Sequence, residues 1–306
     1  MDDAALPSAQ LTMSPALRRG LHWFGGALAL VGIAFVGLRL DAYWRDLAFS
    51  AITPGGWCVM ALLAFVYGAA NILLALAWWH LLRHLEAVAS RTGAIRIYGL
   101  SQLAKYVPGN IFHLAGRQAL GMAAGIAPVP LAKSIGWELG SIAIAGALSG
   151  PLVLPLILPG FPVAAGVALA LLAAALLAVP VGRLGGPQAR LALLWQTLFL
   201  LVSAAVFVSL LGAVAGGAGL KTGYWLPVGS AYVFAWLVGL VTPGAPAGVG
   251  VREMLLLFLL HGLVSEEQLL LAVLLGRMVT VVGDVLFFAA ATVFFPTQTA
   301  SGSEHV

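Results

Sequence analysis

The chain has 306 residues, 61% of them hydrophobic and 8% charged, with a mean hydropathy of +1.03. Soluble domains carry about 25% charged residues, so this composition excludes an ordinary water-soluble protein and makes lipid the solvent. The net charge of +4 comes from basic residues in short loops with no dense basic stripe, which argues against a nucleic-acid partner. The lone cysteine, Cys58, excludes an internal disulfide and a cysteine-built metal site.

In hydrocarbon every backbone polar group must be satisfied within the protein, which leaves helices or a closed barrel. Apolar runs of about 20 residues, rather than alternating segments of about ten, select helices. The expected fold is an all-α polytopic membrane protein, with about six transmembrane helices and two inverted re-entrant helical hairpins. Residues 1–20 read as a cytoplasmic tail, 21–295 as a single integral-membrane domain, and 296–306 as a polar tail. The first span, 21–40, follows Arg18-Arg19 but is longer than a signal-peptide core, so it is expected to be retained. A loop at 41–56 leads to the second span, 57–82, whose Trp78-Trp79 pair is placed at the level of an interfacial belt. His80 and His84 stand at i, i+4 spacing, which would suit a metal, but at a span end beside Trp79 and Arg83 they read as interfacial.

Residues 97–107 are too short to cross: at 1.5 Å per residue they reach about half a bilayer. Pro108-Gly109-Asn110 turns the chain and 111–126 returns, giving the first hairpin, near 97–126. Spans follow at 134–158, 163–181 and 191–214, the last two joined by a loop with Arg183 and Arg190. The second hairpin, near 225–263, descends over 225–241, turns at 243–250 and returns over 251–263. The last span is 268–295. With the N-terminus inside, nine lysines and arginines, Lys105 among them, fall on the cytoplasmic side against three outside. Both termini are then cytoplasmic. Three full spans separate the hairpins, so the second enters from the opposite face, the inverted-repeat arrangement of many secondary transporters.

The two hairpins share a device. Pro108-Gly109 is followed by Arg117 and Pro243-Gly244 by Arg252, with the same step of eight from Gly to Arg. Around the second turn, V-T-P-G-A-P-A-G-V-G-V-R-E, Gly248 and Gly250 further deny the backbone a continuous helix. Three basic residues, Arg117, Arg252 and Arg277, and three acids, Glu138, Glu253 and Asp284, remain inside apolar segments. Each costs about 2.5–3.5 kcal/mol on insertion scales, so such residues point to function. Equal numbers predict pairing and a site near neutrality until a ligand arrives.

Arg252 is the most informative of them. The glycines place it in the first turn of the returning helix, where the dipole favours Glu253 and disfavours a cation. An anion explains it: the guanidinium fork and the free N–H groups of a helix start both suit a phosphate. The spacing match gives Arg117 the same role. A second reading has Arg117 and Glu138 pairing to lock the hairpin to the third span, and Arg277 and Asp284, seven apart on one helix face, clamping neighbouring helices. His113 reads as either a ligand contact or a satisfied core histidine.

S-Q-L-A-K-Y-V-P-G-N-I-F-H-L-A-G-R (101–117) and P-G-A-P-A-G-V-G-V-R-E (243–253) resemble the two signature stretches of the lysylphosphatidylglycerol synthase transmembrane region, the flippase-like family. The family form of the second is closer to P-G-G-x-G-x-R-E; here Pro246-Ala247 interrupt the glycines while Arg252 and Glu253 match. The resemblance implies a multi-pass protein of the bacterial inner membrane that moves lipids between leaflets, here a stand-alone member without the aminoacyltransferase domain.

Together these features lead to the expectation of a flippase or translocase for an anionic lipid, either a phospholipid or a polyprenyl phosphate. Its partners would be membrane lipids and lipid- or glycan-synthesis enzymes. Arg117, Arg252, Glu253, Glu138, Arg277, Asp284 and Asn110 are the expected substrate-binding residues, and Pro108, Gly109, Pro243, Gly244, Gly248 and Gly250 the structural turns. Two alternatives stay open: an integral-membrane head-group transferase, and a non-catalytic partner of a glycosyltransferase. Nothing in the sequence calls for a cofactor or a metal. In the absence of a nucleotide-binding loop, transport would be downhill or ion-coupled, with Glu138, Glu253 and Asp284 as candidate proton carriers.

Overall fold

The computed structural model describes residues 54–107, 111–215, 222–242 and 250–295, with isolated positions between 14 and 38. The first span, the terminal tails, the 41–53 loop, and the turn residues Pro108, Gly109, Asn110, Pro243, Gly244 and Gly248 lie outside the described residues.

All regular structure among the described residues is helical. The helices are α1 (Pro54–His84), α2 (Arg91–Gln102), α3 (Phe112–Ala123), α4 (Pro128–Ala147), α5 (Gly150–Ile157), α6 (Val163–Val214), α7 (Trp225–Val241), α8 (Val251–Leu259) and α9 (Glu266–Phe294). Among the described residues four stretches are long and apolar enough to cross a membrane: α1, α4 with α5, α6, and α9. Large apolar side chains face outward on many helices, Leu62, Phe65, Leu171, Met254, Phe258 and Phe294 among them. In water that surface would drive association; in a bilayer it meets its own solvent.

Local signals set the helix ends. Ser90 caps α2 by accepting from Gly93 N at 3.1 Å, and Ser265 caps α9 by accepting from Gln268 N at 3.2 Å. Arg83 and His84 close α1 at the end where the dipole favours cations. After α2 the chain tightens into a 3-10 turn, Leu103–Tyr106. At 12 residues, α2 reaches about 18 Å, well short of a crossing. The bounds 225–241 agree with α7, and the return expected over 251–263 is α8, ending at Leu259.

Three expectations need correction. The loop placed between 181 and 191 is shorter than expected: two helical legs of α6 meet in a sharp break at Gly186, whose φ of 61° and ψ of −161° are open to glycine. The span placed at 134–158 starts earlier, at Pro128, because a proline costs nothing in the first turn, and it breaks at Leu148–Ser149 before Pro151. Trp78 is not an interfacial residue: it is fully buried, and its Nε1 donates to Ser134 Oγ at 3.1 Å. Trp79 is half-buried and donates to Ala89 O at 3.1 Å.

The core gathers around α1, which packs on α6 and α9. Gly68 of α1 and Gly283 of α9 make the closest approach: a methyl group on Gly68 would sit 2.8 Å from Gly283 O, and one on Gly283 2.8 Å from Ala64 O. Asn71 follows Gly68 by three residues and Asp284 directly follows Gly283, and this close approach brings the two side chains together.

Candidate functional site

The two copies of the arginine device build similar cradles. Arg117, in α3, lies with its guanidinium carbon 3.8 Å from the centre of the Tyr98 ring, and Tyr98 packs on Trp78 with ring centres 6.3 Å apart. Arg252, in the first turn of α8, lies 4.2 Å from the centre of the Tyr232 ring, and Tyr232 stacks on Phe207 at 4.5 Å. Each arginine thus rests on a tyrosine of the preceding helix, and each tyrosine is backed by a second aromatic ring. Sequence reasoning missed both tyrosines, although they stand ten and eleven residues before Pro108 and Pro243.

Their charges are satisfied differently. Arg117 Nη1 donates to Glu138 Oε2 at 2.5 Å, Tyr98 Oη donates to Glu138 Oε1 at 3.1 Å, and Arg117 is 2% exposed. This pair locks α3 to α4. Arg252 has no carboxylate partner among the described residues, and its buried Nε has no hydrogen-bond acceptor there.

Glu253, its neighbour, points elsewhere. Glu253 Oε2 accepts from Gly250 N at 2.7 Å, closing the start of α8, and Gly250 holds a φ of 88° that glycine tolerates. Glu253 Oε1 accepts from Arg277 Nε at 3.0 Å and also from Arg277 Nη2. The position of Arg252 in the first turn of α8 is as the glycine spacing predicts, and the cap by Glu253 is an addition of the structure.

Arg277 and Asp284 do reach neighbouring helices, but different ones. Arg277 ties α9 to α8. Asp284, 0% exposed, ties α9 to α1 and to the end of α2. Its Oδ1 accepts from Asn71 Nδ2 and Gln102 Nε2, both at 3.2 Å, and its Oδ2 from Lys105 Nζ at 2.6 Å and Tyr106 Oη at 2.5 Å. The sequence reading missed this network: Lys105 was counted among the loop charges, while it turns inward to a buried acid. The sequence signal is Asn71, an amide in the apolar run of α1, with Gln102 and Lys105 close together after it.

Between the two cradles lies a cavity of about 210 Å³. Tyr67, Tyr98, Tyr232 and Trp236 supply much of its aromatic wall, and Lys105, Glu138, Arg252 and Arg277 reach its surface. Three buried polar atoms on lining residues lack a partner among the described residues: Arg252 Nε, His113 Nδ1 and Ser203 Oγ. His113 is therefore not satisfied at Nδ1 within the core. His80 and His84 stand apart, His80 with Gln188 Oε1 at 2.6 Å and His84 edge-on to Trp137 at 4.6 Å.

Pairing gives the charge of the site. Among the described residues Lys105 with Asp284, Arg117 with Glu138, and Arg277 with Glu253 cancel, leaving Arg252 over. The sequence expectation of equal numbers fails by one, because Lys105 belongs to the set. A cavity with an aromatic wall, a guanidinium that no acid compensates among the described residues, and orphaned polar atoms could accommodate an anion.

Comparison of the chain with protein-family models, with curated proteins and with solved structures found no match.

Proposed function

We propose that the protein is a translocase for an anionic, phosphate-bearing lipid in the bacterial inner membrane, with Arg252 holding the phosphate. The single observation that carries this is the surplus charge: Arg252 lines the cavity, lies on Tyr232, and has no acid to neutralise it among the described residues. A cation in hydrocarbon without a counter-charge is costly, so an anion beside Arg252 is favoured. Its planar fork fits two phosphate oxygens, and the first N–H groups of α8 add to the same end. Apolar lining such as Leu139, Ile142 and Leu240 suits acyl chains beside the head group.

In this proposal α2–α3 and α7–α8 are re-entrant hairpins of inverted topology, and the two legs of α6 on either side of Gly186 are separate crossings. With the span at 21–40 this gives six crossings and cytoplasmic termini. The break at Gly186 and the length of α6 support the division: its 52 residues are more than twice the number, about 20, that one crossing needs. The likeness of 101–117 and 243–253 to the flippase-like family points to the same function. Lipid- or glycan-synthesis enzymes would be its partners, supplying or consuming the lipid.

The test is transfer of fluorescent phosphatidylglycerol between leaflets of reconstituted vesicles. Arg252→Ala is expected to lose at least about tenfold in rate, and Arg252→Lys to lose less, because it keeps charge without the fork. A stably folded Arg252→Ala protein that transfers lipid at the wild-type rate would sink the proposal.

A further inference from the structure

Three carboxylates stand around the cavity, and their partners differ in kind. Glu138 and Glu253 face arginines, which stay charged and hold a carboxylate in a fixed planar geometry. Asp284 faces a lysine, a point charge on a flexible stem.

The two oxygens of Asp284 also differ. Oδ1 is held by the amides of Asn71 and Gln102. Those amides are themselves fixed, since Asn71 Nδ2 donates to Tyr67 O at 3.2 Å and Gln102 Nε2 to Asn71 Oδ1 at 3.0 Å. Oδ2 is held by Lys105 and Tyr106, and both of these line the cavity while Asp284 lies fully buried behind them. A lysine can swing away, and a hydroxyl can turn from donor to acceptor. One oxygen is thus fixed, and the other can lose its partner to whatever enters the cavity.

We propose that Lys105 and Asp284 form a proton-coupling site: an anion in the cavity draws Lys105 off Oδ2, and Oδ2 takes a proton in its place. The inference rests on the anion-translocase reading and adds its energy source. Lys105 keeps its proton and becomes a counter-charge to the phosphate. The new proton comes from water at the open face, forms an O–H bond on Oδ2, and is donated in a hydrogen bond to Tyr106 Oη. The physical cause is burial: a carboxylate with no exposure that loses its cation is costly to leave ionised, and a proton removes the charge. When the anion leaves, Lys105 returns and the proton departs on that side, so one proton travels with one anion.

Other groups near the pair do not offer the same exchange. Tyr67 of α1 and His113 of α3 line the cavity, α6 presents Phe199 and Ser203 without charge, and on α9 itself Arg277 is committed to Glu253.

The experiment titrates the purified, weakly buffered protein with water-soluble dihexanoyl-phosphatidylglycerol, following binding by tryptophan fluorescence and protons by an indicator dye. Wild-type protein is expected to take up about one proton per lipid bound, so its affinity weakens as pH rises, by up to about tenfold per pH unit. Asp284→Asn frees Lys105 without a proton to gain: it should bind several-fold more tightly, take up no proton, and lose the pH dependence. Lys105→Gln removes the cation whose departure triggers uptake, so it should also bind without uptake, and it serves should Asp284→Asn not fold. Undiminished uptake in either variant overturns the proposal. Wild-type binding without uptake overturns the coupling and leaves the anion site standing, whereas no binding at all brings down both.

Discussion

Arg117 and Arg252 each follow a Pro-Gly pair by the same interval and each lie on a tyrosine ring, at 3.8 and 4.2 Å. Only Arg117 has a carboxylate. Glu138 and the Tyr98 hydroxyl close the first cradle, so its charge and its hydrogen bonds are spent inside the protein. The second cradle keeps the ring and omits the acid. The difference teaches that one motif can be a rivet in one place and, in the other, leave its charge without an acid among the described residues. The distinction lies in a residue outside the motif, Glu138, which α4 carries to Arg117 and no helix carries to Arg252 among the described residues.

The largest effect expected from breaking this comparison is on stability. Arg117→Met leaves Glu138 buried without its cation, and should destabilise the protein in detergent by about 3–5 kcal/mol, read by thermal or denaturant unfolding. Adding Glu138→Gln should recover part of that loss, because the pair is coupled. Full stability of the single variant would show that Arg117 is not a rivet. The same substitution at the open site should behave otherwise. Arg252→Met removes a cation that rests only on a ring, so unfolding should change by about 0.5–1 kcal/mol, or move toward greater stability. A loss as large as that at Arg117 would mean that Arg252 has a hidden structural partner.

The smallest and sharpest contrast is between the two tyrosines. Tyr98→Phe deletes a hydrogen bond to Glu138 and should cost about 1–2 kcal/mol. Tyr232 meets Arg252 with its ring face, so Tyr232→Phe should leave both stability and lipid transfer near wild type, while Tyr232→Leu should reduce transfer. Equal unfolding costs for the two phenylalanine variants would remove the distinction between the cradles.

Much of the fold was legible because lipid imposes a narrow choice. Apolar run length gave helices, the α7 bounds followed from Trp225 and the turn, and glycine spacing put Arg252 in the first turn of α8 with Glu253 beside it where the dipole favours an acid. Trp78 was misplaced because a tryptophan at a span end and a tryptophan in the core share the same local sequence. Its bond to Ser134 depends on a helix 56 residues away. The extent of helix around Arg183 and Arg190 was missed because charged residues suggest a loop, whereas a single glycine at 186 suffices to part the two legs of α6.

The sequence by itself determined the solvent, the helices, the two interrupted stretches, and the short list of charges that hydrocarbon would not tolerate without use. It did so because those properties are local: they depend on run length, on Pro and Gly, and on side-chain charge. Only the tertiary structure decided which charge meets which. Glu253 went to Arg277 rather than to the adjacent Arg252, Asp284 to Lys105 rather than to its helix mate Arg277, and Arg252 was left over. Those choices follow from where α9 packs against α1, α2 and α8. Coulomb energy in a low-dielectric interior depends on separations of a few ångströms, and distance along the chain says little about these.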